Sequence, residues 1–313
     1  MSVNESGPPA AAKRLSIAVV GLGGIGGTAA GLLARTGLYD ITACVRRPLE
    51  RLTVEGPDVA FEVPLSSLID PADAQPADWV LLCTKTHETE SAGPWLRQLC
   101  RPATKVAALQ NGIDHVERIA PYANGAGIVP VLVYYNGERL APDRVRYRPM
   151  AANELVVPDD AGGRAFAALM SATPLHVLAS PDFVTLKWRK LLLNAVANPV
   201  TALTLKRFAV FQRPDIQALS IAILDEAGQV ARADGARLHD DESQRVLAMV
   251  RGFAPELSTS MHFDRLAGRP FEVEALTGAI VAAGERHGIA TPLNGLLLTL
   301  LRAISEENAA KAS

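Results

Sequence analysis

The sequence is poor in cysteine and in aromatic residues, and it carries almost no excess charge. Three cysteines occur among 313 residues, and none has the spacing of a metal site, so we expect reduced thiols in a cytoplasmic protein. The formal net charge of −2 gives no general attraction to nucleic acid or to an anionic membrane. The cysteines are Cys44, Cys83 and Cys100.

Long apolar runs and clustered metal ligands are also lacking. No run is long enough to span a bilayer, so we expect no membrane contact. Residues 1–13 are rich in Ser, Gly, Pro and Ala but have no apolar centre like that of a signal peptide, which predicts a disordered tail. The six histidines are scattered without a paired spacing, so we expect no metal. No nucleophile-elbow motif supports serine hydrolase chemistry.

Near its beginning the sequence contains a glycine-rich turn between two predicted elements. The apolar strand at residues 17–20 runs directly into Gly-x-Gly-x-x-Gly, and a helical run follows at residues 28–35. The glycines permit a tight turn and a close approach to a pyrophosphate, and the N-terminus of the helix offers unpaired N–H groups. The pattern predicts dinucleotide binding by Gly21, Leu22, Gly23, Gly24, Ile25 and Gly26.

The end of the second predicted strand, at residues 40–45, indicates which dinucleotide is bound. An NAD site usually has an acidic residue about 20 residues beyond the last glycine of the turn. This chain has Arg46 and Arg47 there instead. A guanidinium group binds a 2′-phosphate in a bidentate manner, whereas a carboxylate repels it. NADP is therefore favoured, with Arg46 on its 2′-phosphate; the alternative is a solvated arginine pair at a strand end.

Strand and helix signals alternate through the first half of the chain and then give way to helical periodicity alone. We predict an α/β Rossmann domain over residues 14–180, with later strands extending its sheet in antiparallel fashion, and an all-helical domain over residues 181–313. Ligands of open α/β sheets bind beyond the carboxyl ends of the strands, so a helical domain docked there would form a cleft.

Two polar residues follow predicted strands of the first half. Lys85 lies just beyond the apolar run at residues 78–83, and Asn111 follows the strand at residues 105–109. Both should point to the same edge of the sheet as the glycine-rich turn, which predicts a role near the cofactor. Alternatively, Lys85 is a solvated surface residue, and Asn111 is a turn residue because Asn-Gly favours turns.

A polar stripe follows one face of a long helix predicted in the second half. Lys190, Asn194 and Asn198 are spaced four residues apart, and leucines and valine occupy the positions between them. Burying such a stripe without partners is costly, so we expect it to face a ligand; bound water or an interdomain contact is the alternative. Pro199 cannot donate to the carbonyl group of Ala195, which predicts a free backbone acceptor beside the stripe.

Two further residues near the end of the chain have ordinary structural explanations. Ser260 belongs to a cluster, Ser258-Thr259-Ser260, that is consistent with a helix N-cap, and Glu272 is consistent with a first-turn acid favoured by the helix dipole after Pro270. Their residue types alone do not assign them a function.

In these motifs the chain resembles the 2-dehydropantoate 2-reductases, or ketopantoate reductases, which are NADPH-dependent enzymes of pantothenate synthesis. The resemblance covers nearly the whole chain, and the pattern Trp-Arg-Lys-x3-Asn-x3-Asn-Pro is far more specific than the glycine turn. It is carried by the glycine-rich turn, Arg46, Lys85, Gln110-Asn111-Gly112, Trp188-Arg189-Lys190, Asn194, Asn198-Pro199, Ser260-Met261 and the segment from Gly268 to Glu272.

The resemblance implies a role for each matching residue. Lys190 matches the catalytic lysine that protonates the nascent alkoxide. Lys85 and Glu272 match positions near the cofactor, and Asn111 one that touches both nicotinamide and substrate. The keto acid would be held by Asn194, Asn198 and Ser260. The implied fold is a Rossmann domain followed by a helical domain like that of 6-phosphogluconate dehydrogenase.

The chain departs from the family pattern beyond the polar stripe. The family usually carries an Asn-Gly-Glu segment after Asn198-Pro199, whereas this chain has Leu205-Lys-Arg-Phe-Ala209, and Phe271 stands where threonine is more usual. The intact cofactor and proton-transfer residues imply NADPH-dependent reduction of a 2-keto acid, with ketopantoate reduced to pantoate, and the changed pocket leaves three alternatives open. These are a related reductase of another keto acid or imine, a non-catalytic NADP-binding sensor, and an opine- or 6-phosphogluconate-type dehydrogenase. The apolar second half leaves room for a homodimer interface.

Overall fold

The computed structural model describes residues 14–312. The tail predicted over residues 1–13 lies outside the described residues. The strands are β1 (Ser16–Val20), β2 (Asp40–Cys44), β3 (Arg51–Glu55), β4 (Ala60–Pro64), β5 (Ser66–Leu68), β6 (Trp79–Leu82), β7 (Lys105–Ala108), β8 (Gly127–Pro130), β9 (Leu132–Val133), β10 (Asn136–Ala141), β11 (Arg144–Arg148), β12 (Leu155–Pro158) and β13 (Val177–Ser180).

Helices connect these strands and make up the rest of the chain. The α-helices are α1 (Gly24–Thr36), α2 (Gly93–Leu99), α3 (His115–Ile119), α4 (Ala161–Met170), α5 (Phe183–Thr204), α6 (Pro214–Ala233), α7 (Glu242–Gly252), α8 (Ser260–Leu266), α9 (Ala279–His287) and α10 (Pro292–Ala312). Short 3₁₀ turns lie at Pro71–Asp73, Thr86–Glu88, Ala120–Tyr122 and Phe208–Gln212, and a single π-helical turn at Glu274–Gly278.

The main sheet has six parallel strands in the order β5-β2-β1-β6-β7-β8. Numbered by themselves, these strands have the order 3-2-1-4-5-6 of a dinucleotide-binding sheet. Every residue of β6 is buried, as expected of a parallel strand covered on both faces. The predicted Rossmann arrangement is therefore confirmed, and the carboxyl ends of β1, β6 and β7 meet at one edge.

The predicted antiparallel extension of this sheet is wrong. Residues 127–133 contain two strands, β8, which is parallel to β7, and the short strand β9, which lies in another sheet. Strand β11 lies in a separate four-stranded sheet, β10-β11-β3-β4, and β12 lies in a three-stranded sheet, β13-β12-β9. The strand residues were recognisable, but their partners are distant in sequence, and local alternation carries no information on pairing.

From Phe183 onward the described chain is helical, apart from short loops. Helix α5 is central, because it packs on α6, α7 and α8 and contributes its apolar positions to one core. Trp188 at its N-terminal end is fully buried. The helix continues through Pro199, so the proline removes a hydrogen bond to the Ala195 carbonyl group without ending the helix.

Candidate active site

The glycine-rich turn has the geometry that only glycine permits. Gly21 follows β1 with φ of +94°, and a Cβ atom there would lie 2.7 Å from the amide nitrogen of Thr84. A Cβ atom on Gly26 would lie 2.0 Å from the carbonyl oxygen of Gly21. These two glycines therefore allow α1 to start directly against the ends of β1 and β6.

The N-terminus of α1 is open to a ligand. Gly23 is its N-cap, no side chain caps the helix, and the first turn contains no acidic residue. A Cβ atom on Gly23 would meet no atom of the described chain within 4 Å. The first-turn N–H groups of this 13-residue helix therefore have no side-chain partner, which fits a pyrophosphate group.

Gly24 has a packing role beside its place in the fingerprint. A Cβ atom on Gly24 would lie 1.9 Å from the carbonyl oxygen of Gly137 in β10, and one on Gly137 would lie 2.4 Å from the Gly24 carbonyl oxygen. The hydroxyl group of Tyr135 donates to the carbonyl group of Ile25, at 2.8 Å. The turn is thus held by the second sheet as well as by the main one.

Arg46 lies two residues beyond β2 on the surface. Its side chain is 87% exposed, and one guanidinium nitrogen is 2.8 Å from Oε1 of Glu88. The neighbouring Arg47 is also exposed. Both guanidinium groups are accessible at the strand end next to β1, where the fingerprint places a ribose.

Glu272 brings together two other residues singled out from the sequence, Lys85 and Asn111. This buried carboxylate accepts a hydrogen bond from Nδ2 of Asn111 at 2.9 Å and one from the backbone N–H of Thr86 at 3.0 Å. Nζ of Lys85 lies 3.5 Å from its Oε2 atom. Glu272 is therefore not a simple first-turn acid, because its partners all belong to the α/β half.

Asp264 belongs to the same cluster and was missed in the sequence analysis. Its buried carboxylate lies 3.1 Å from Nζ of Lys85 and 2.9 Å from Nε of Arg269. Burial lowers the pKa of Lys85, but the charges of Glu272 and Asp264 raise it by more. Conversely, burial raises the pKa of Glu272, and Lys85, Thr86 and Asn111 lower it by more. Both groups are therefore charged at neutral pH.

Lys190 lies close to this cluster but pairs with no carboxylate of the described chain. Nζ donates to the carbonyl oxygen of Val133 at 2.7 Å and lies 5.3 Å from the centroid of the Tyr134 ring. Burial lowers the pKa of Lys190 to about 8, while the negative charge of Glu272 acts in the opposite direction. The site thus holds an ammonium group that releases its proton far more readily than an exposed lysine.

The two residues before Lys190 fix the rotation of α5. The indole Nε1–H of the buried Trp188 donates to Oδ2 of Asp234 at 2.9 Å. Arg189 binds Glu242 in a bidentate manner, at 2.9 and 3.1 Å. Because Trp188 and Arg189 are anchored within the helical half, Lys190 is directed toward the α/β half.

The remaining residues of the stripe are unpaired along the same face. Asn194 is half-buried and Asn198 is 4% exposed, and their side-chain amides form no hydrogen bond to any residue between 14 and 312. Ser260 is the exposed first residue of α8, and Thr259 of the same cluster is the N-cap of that helix, as the sequence predicted. The Thr259 hydroxyl is 2.8 Å from that of Thr201, so α8 begins beside α5 just beyond Asn198.

Two classes of site are not found among residues 14–312. No group of three or more His, Cys, Asp or Glu side chains is arranged to hold a metal ion. No described helix is long and apolar enough to cross a membrane.

The protein has the features of a two-part nicotinamide-dependent oxidoreductase. Its parallel sheet carries a glycine-rich turn, and its helical half presents a lysine of lowered pKa. The comparisons narrow this class. The chain belongs to the ketopantoate reductase family: the family model described as ketopantoate reductase PanE/ApbA matches residues 17–158, and the model of its C-terminal part matches residues 182–305. The resemblance stated from the sequence is confirmed.

Relatives of known name agree with this family. The chain is 40% identical to the 2-dehydropantoate 2-reductase of Caulobacter vibrioides over 288 residues, which are 92% of this chain and 98% of that protein. It is 39% identical to the enzyme of the same name from Mycobacterium tuberculosis over 293 residues, 93% and 98% of the two chains.

Solved structures support the same assignment. A ketopantoate reductase of Ralstonia eutropha has a TM-score of 0.84 at 28% identity, covering 94% of this chain and all of that one. A ketopantoate reductase of Staphylococcus aureus, described as dimeric, has a TM-score of 0.83 at 26% identity with the same coverage. The predicted fold class, with a Rossmann half and a helical half, is confirmed.

Proposed function

We propose that this protein catalyses the NADPH-dependent reduction of a 2-keto acid to a 2-hydroxy acid, with ketopantoate as substrate and pantoate as product in pantothenate synthesis. The observation that carries the proposal is the buried Lys190 ammonium, which donates to the Val133 carbonyl oxygen at 2.7 Å, pairs with no carboxylate of residues 14–312 and feels the charge of Glu272. Glu272 in turn holds Asn111 at the edge of the sheet where the glycine-rich turn ends.

The cofactor is held mainly by the α/β half. The open N-terminus of α1 and the turn from Gly21 to Gly26 receive the pyrophosphate, and the exposed guanidinium of Arg46 receives the 2′-phosphate in place of Glu88. Lys85 and Glu272 lie near the nicotinamide end, where their mutual charge compensation keeps the site close to neutral. Asn111 is shared by the nicotinamide and the substrate.

The substrate lies against the polar face of α5. When bound, NADPH supplies the hydride that converts the ketone carbon to an alcohol carbon. Lys190 donates the proton from Nζ to the ketone oxygen, so that one hydride and one proton together give the hydroxyl group. Asn194 and Asn198 on this face, and Ser260 at the start of the neighbouring helix α8, hold the polar groups of the keto acid, because their side chains are unpaired within residues 14–312.

The organisation of the chain is part of the proposal. The NADP-binding unit comprises residues 14–180 and the catalytic unit residues 181–313, with the cleft between them. We infer a homodimer because a related reductase of Staphylococcus aureus is described as dimeric. A cytoplasmic location rests on the three free thiols, Cys44, Cys83 and Cys100.

One observation favours a second candidate, a reductase of a different 2-keto acid. Leu205 ends α5 with φ of +53° and is 48% exposed, seven residues beyond Asn198. The polar stripe is therefore followed by an exposed apolar residue, which favours a keto acid with a larger apolar substituent. A family pattern with Asn-Gly-Glu after the stripe would place polar groups there.

Steady-state oxidation of NADPH tests the proposal and separates the two candidates. Ketopantoate, pyruvate and 2-keto acids with longer apolar chains are compared by kcat/KM. The proposal predicts the highest value for ketopantoate, and a higher value for a longer apolar keto acid would favour the second candidate. NADPH binding without turnover of any carbonyl compound would indicate a sensor instead.

A further inference from the structure

Three consecutive residues connect the catalytic lysine to the glycine-rich turn. The carbonyl oxygen of Val133 accepts from Lys190 at 2.7 Å, the ring of Tyr134 lies 5.3 Å from the same ammonium, and the hydroxyl of Tyr135 donates to Ile25 at 2.8 Å. We propose that Tyr134 is a positioning residue: its ring face, together with the adjacent Val133 carbonyl group, holds the Lys190 ammonium in the cleft. The position of this segment is set by Tyr135, which binds it to the glycine-rich turn. The inference rests on the proposed function for the role of Lys190 as proton donor.

The position of the Tyr134 ring is fixed by its surroundings rather than by Lys190. Its backbone N–H donates to the carbonyl group of Glu154 at 2.7 Å. The ring packs on a small apolar cluster formed by Leu132, Val156 and Phe183, together with Leu186. Leu186 precedes Lys190 by one helical turn, so the ring covers the face of α5 from which the lysine side chain extends.

The contact acts through the ring face. The Tyr134 hydroxyl has no hydrogen-bond partner in the part of the chain that the structure describes. Burial raises the pKa of Tyr134 to about 12, so the phenol is neutral over the working range of an enzyme. A neutral ring presents a negative face to a cation, and the attraction grows when the cation is withdrawn from water, as Lys190 is.

Few charged groups act on Lys190, so the Tyr134 ring contributes to the stabilisation of its charged form. From the segment between α8 and the π-helical turn, Glu272 contributes the opposite charge that acts on the ammonium. Glu272 is already engaged by Lys85, Asn111 and Thr86. From the strand side the groups that touch Nζ are a carbonyl oxygen and an aromatic ring, both of which favour the charged lysine.

The experiment measures the titration of Lys190 directly. Protein labelled with carbon-13 at lysine Cε is titrated by NMR, and the Lys190 signal is assigned by its loss in Lys190→Arg. We expect Tyr134→Leu and Tyr134→Met to lower the pKa of Lys190 by about one unit, and Tyr134→Phe, which keeps the ring, to change it by a few tenths at most. Kinetically, the first two should reduce kcat about tenfold with little change in the KM for NADPH.

Tyr122→Leu is the matched control, because Tyr122 is another partly buried tyrosine whose ring faces a cation, the guanidinium of Arg97 at 5.5 Å, away from the cleft. It should leave the titration of Lys190 and the turnover unchanged. An unchanged pKa of Lys190 in folded Tyr134→Leu would overturn the inference.

Two further results of these experiments also bear on the inference. If neither apolar variant folds, pentafluorophenylalanine in place of Tyr134 retains the shape and reverses the ring quadrupole. A pKa equal to that in Tyr134→Phe then overturns the inference, and a lower one supports it. If the wild-type protein reduces no keto acid but Tyr134→Leu still shifts the titration, the proposed function fails while the positioning of the ammonium by Tyr134 stands.

Discussion

Oε2 of Glu272 lies 2.9 Å from Nδ2 of Asn111, so a carboxylate from the helical half is fixed on an amide that follows β7. The two residues are 161 positions apart in the chain. With Lys85 and Thr86 as further partners of Glu272, this contact joins the two halves at the proposed reaction centre.

The first prediction concerns stability. Glu272→Gln removes a buried charge that compensates Lys85, and we expect a loss of about 2 kcal/mol in the free energy of unfolding at neutral pH. The folded pKa of Glu272 is lowered from 4.5, so its contribution is present above pH 4.5 and is lost as the pH falls through the folded pKa. Urea unfolding at several pH values should show the difference from the wild type shrinking on acidification.

A matched control for that measurement is Glu274→Gln. Glu274 is exposed and pairs with Arg302 at the surface, so the change in stability should remain below about 1 kcal/mol. Equal effects of the two variants would contradict the role assigned to Glu272.

The second prediction concerns the proton donor. Lys190→Ala should lower kcat about 10²- to 10⁴-fold, because general-acid catalysis is lost, while the binding of NADPH measured by fluorescence remains. Lys187→Ala is the control on the same helix: Lys187 donates to the carbonyl group of Ile113 and lies outside the proposed chemistry. A comparable loss in Lys187→Ala would point to docking of the two halves rather than to proton transfer.

The third prediction concerns pH. Because kcat/KM reports the free enzyme, it should decrease above pH 8, where Lys190 with its pKa of about 8 loses the proton it must donate. In Lys190→Arg the residual activity should lack this decrease, since arginine remains protonated. A wild-type profile that stays flat to pH 10 would contradict the assignment.

The fourth prediction concerns the choice of cofactor. Arg46→Ala should raise the KM for NADPH about tenfold to a hundredfold and leave that for NADH nearly unchanged, because charge-assisted hydrogen bonds to the 2′-phosphate are lost. Arg47 is the exposed neighbour, and Arg47→Ala should change the KM for NADPH only slightly. If Arg47→Ala is the variant that loses NADPH preference, the phosphate is bound by Arg47 instead.

The fifth prediction separates two glycines of one fingerprint. A methyl group on Gly23 points into free space, so Gly23→Ala should fold with nearly normal stability but raise the KM for NADPH, since the methyl group occupies the space above the turn. A methyl group on Gly24 collides with Gly137, so Gly24→Ala should lose about 1–3 kcal/mol in unfolding free energy. Thermal denaturation and NADPH kinetics together distinguish the two effects.

Features encoded by neighbouring residues were predictable. The turn after β1 and the stripe on α5 follow from the spacing of glycines and amides within one or two helical turns. The parallel α/β character of the main sheet follows from the alternation of strands and helices along the chain. The pairing of β3 with β11 was not predictable, because these strands are about 90 residues apart and are partly polar.

Site residues whose partners are distant in sequence were likewise not predictable. Asp264 has no local motif, and its role depends on Lys85, which lies 179 positions away. A weak signal exists in the sequence, because Asp264 follows Ser260 by one helical turn and would share its face of a helix. Tyr134 carries no signal of this kind, since only the packed structure brings its ring to Lys190.

The backbone contact between Gly24 and Gly137 limits how this fingerprint can be engineered. A glycine-rich loop grafted from another dehydrogenase to alter coenzyme preference would succeed only if it keeps position 24 without a side chain, or if the β10–β11 hairpin is redesigned with it. The unit to be exchanged is thus the loop together with the β10–β11 hairpin. Replacement of residues 21–26 alone would displace this hairpin, which begins just after Tyr135.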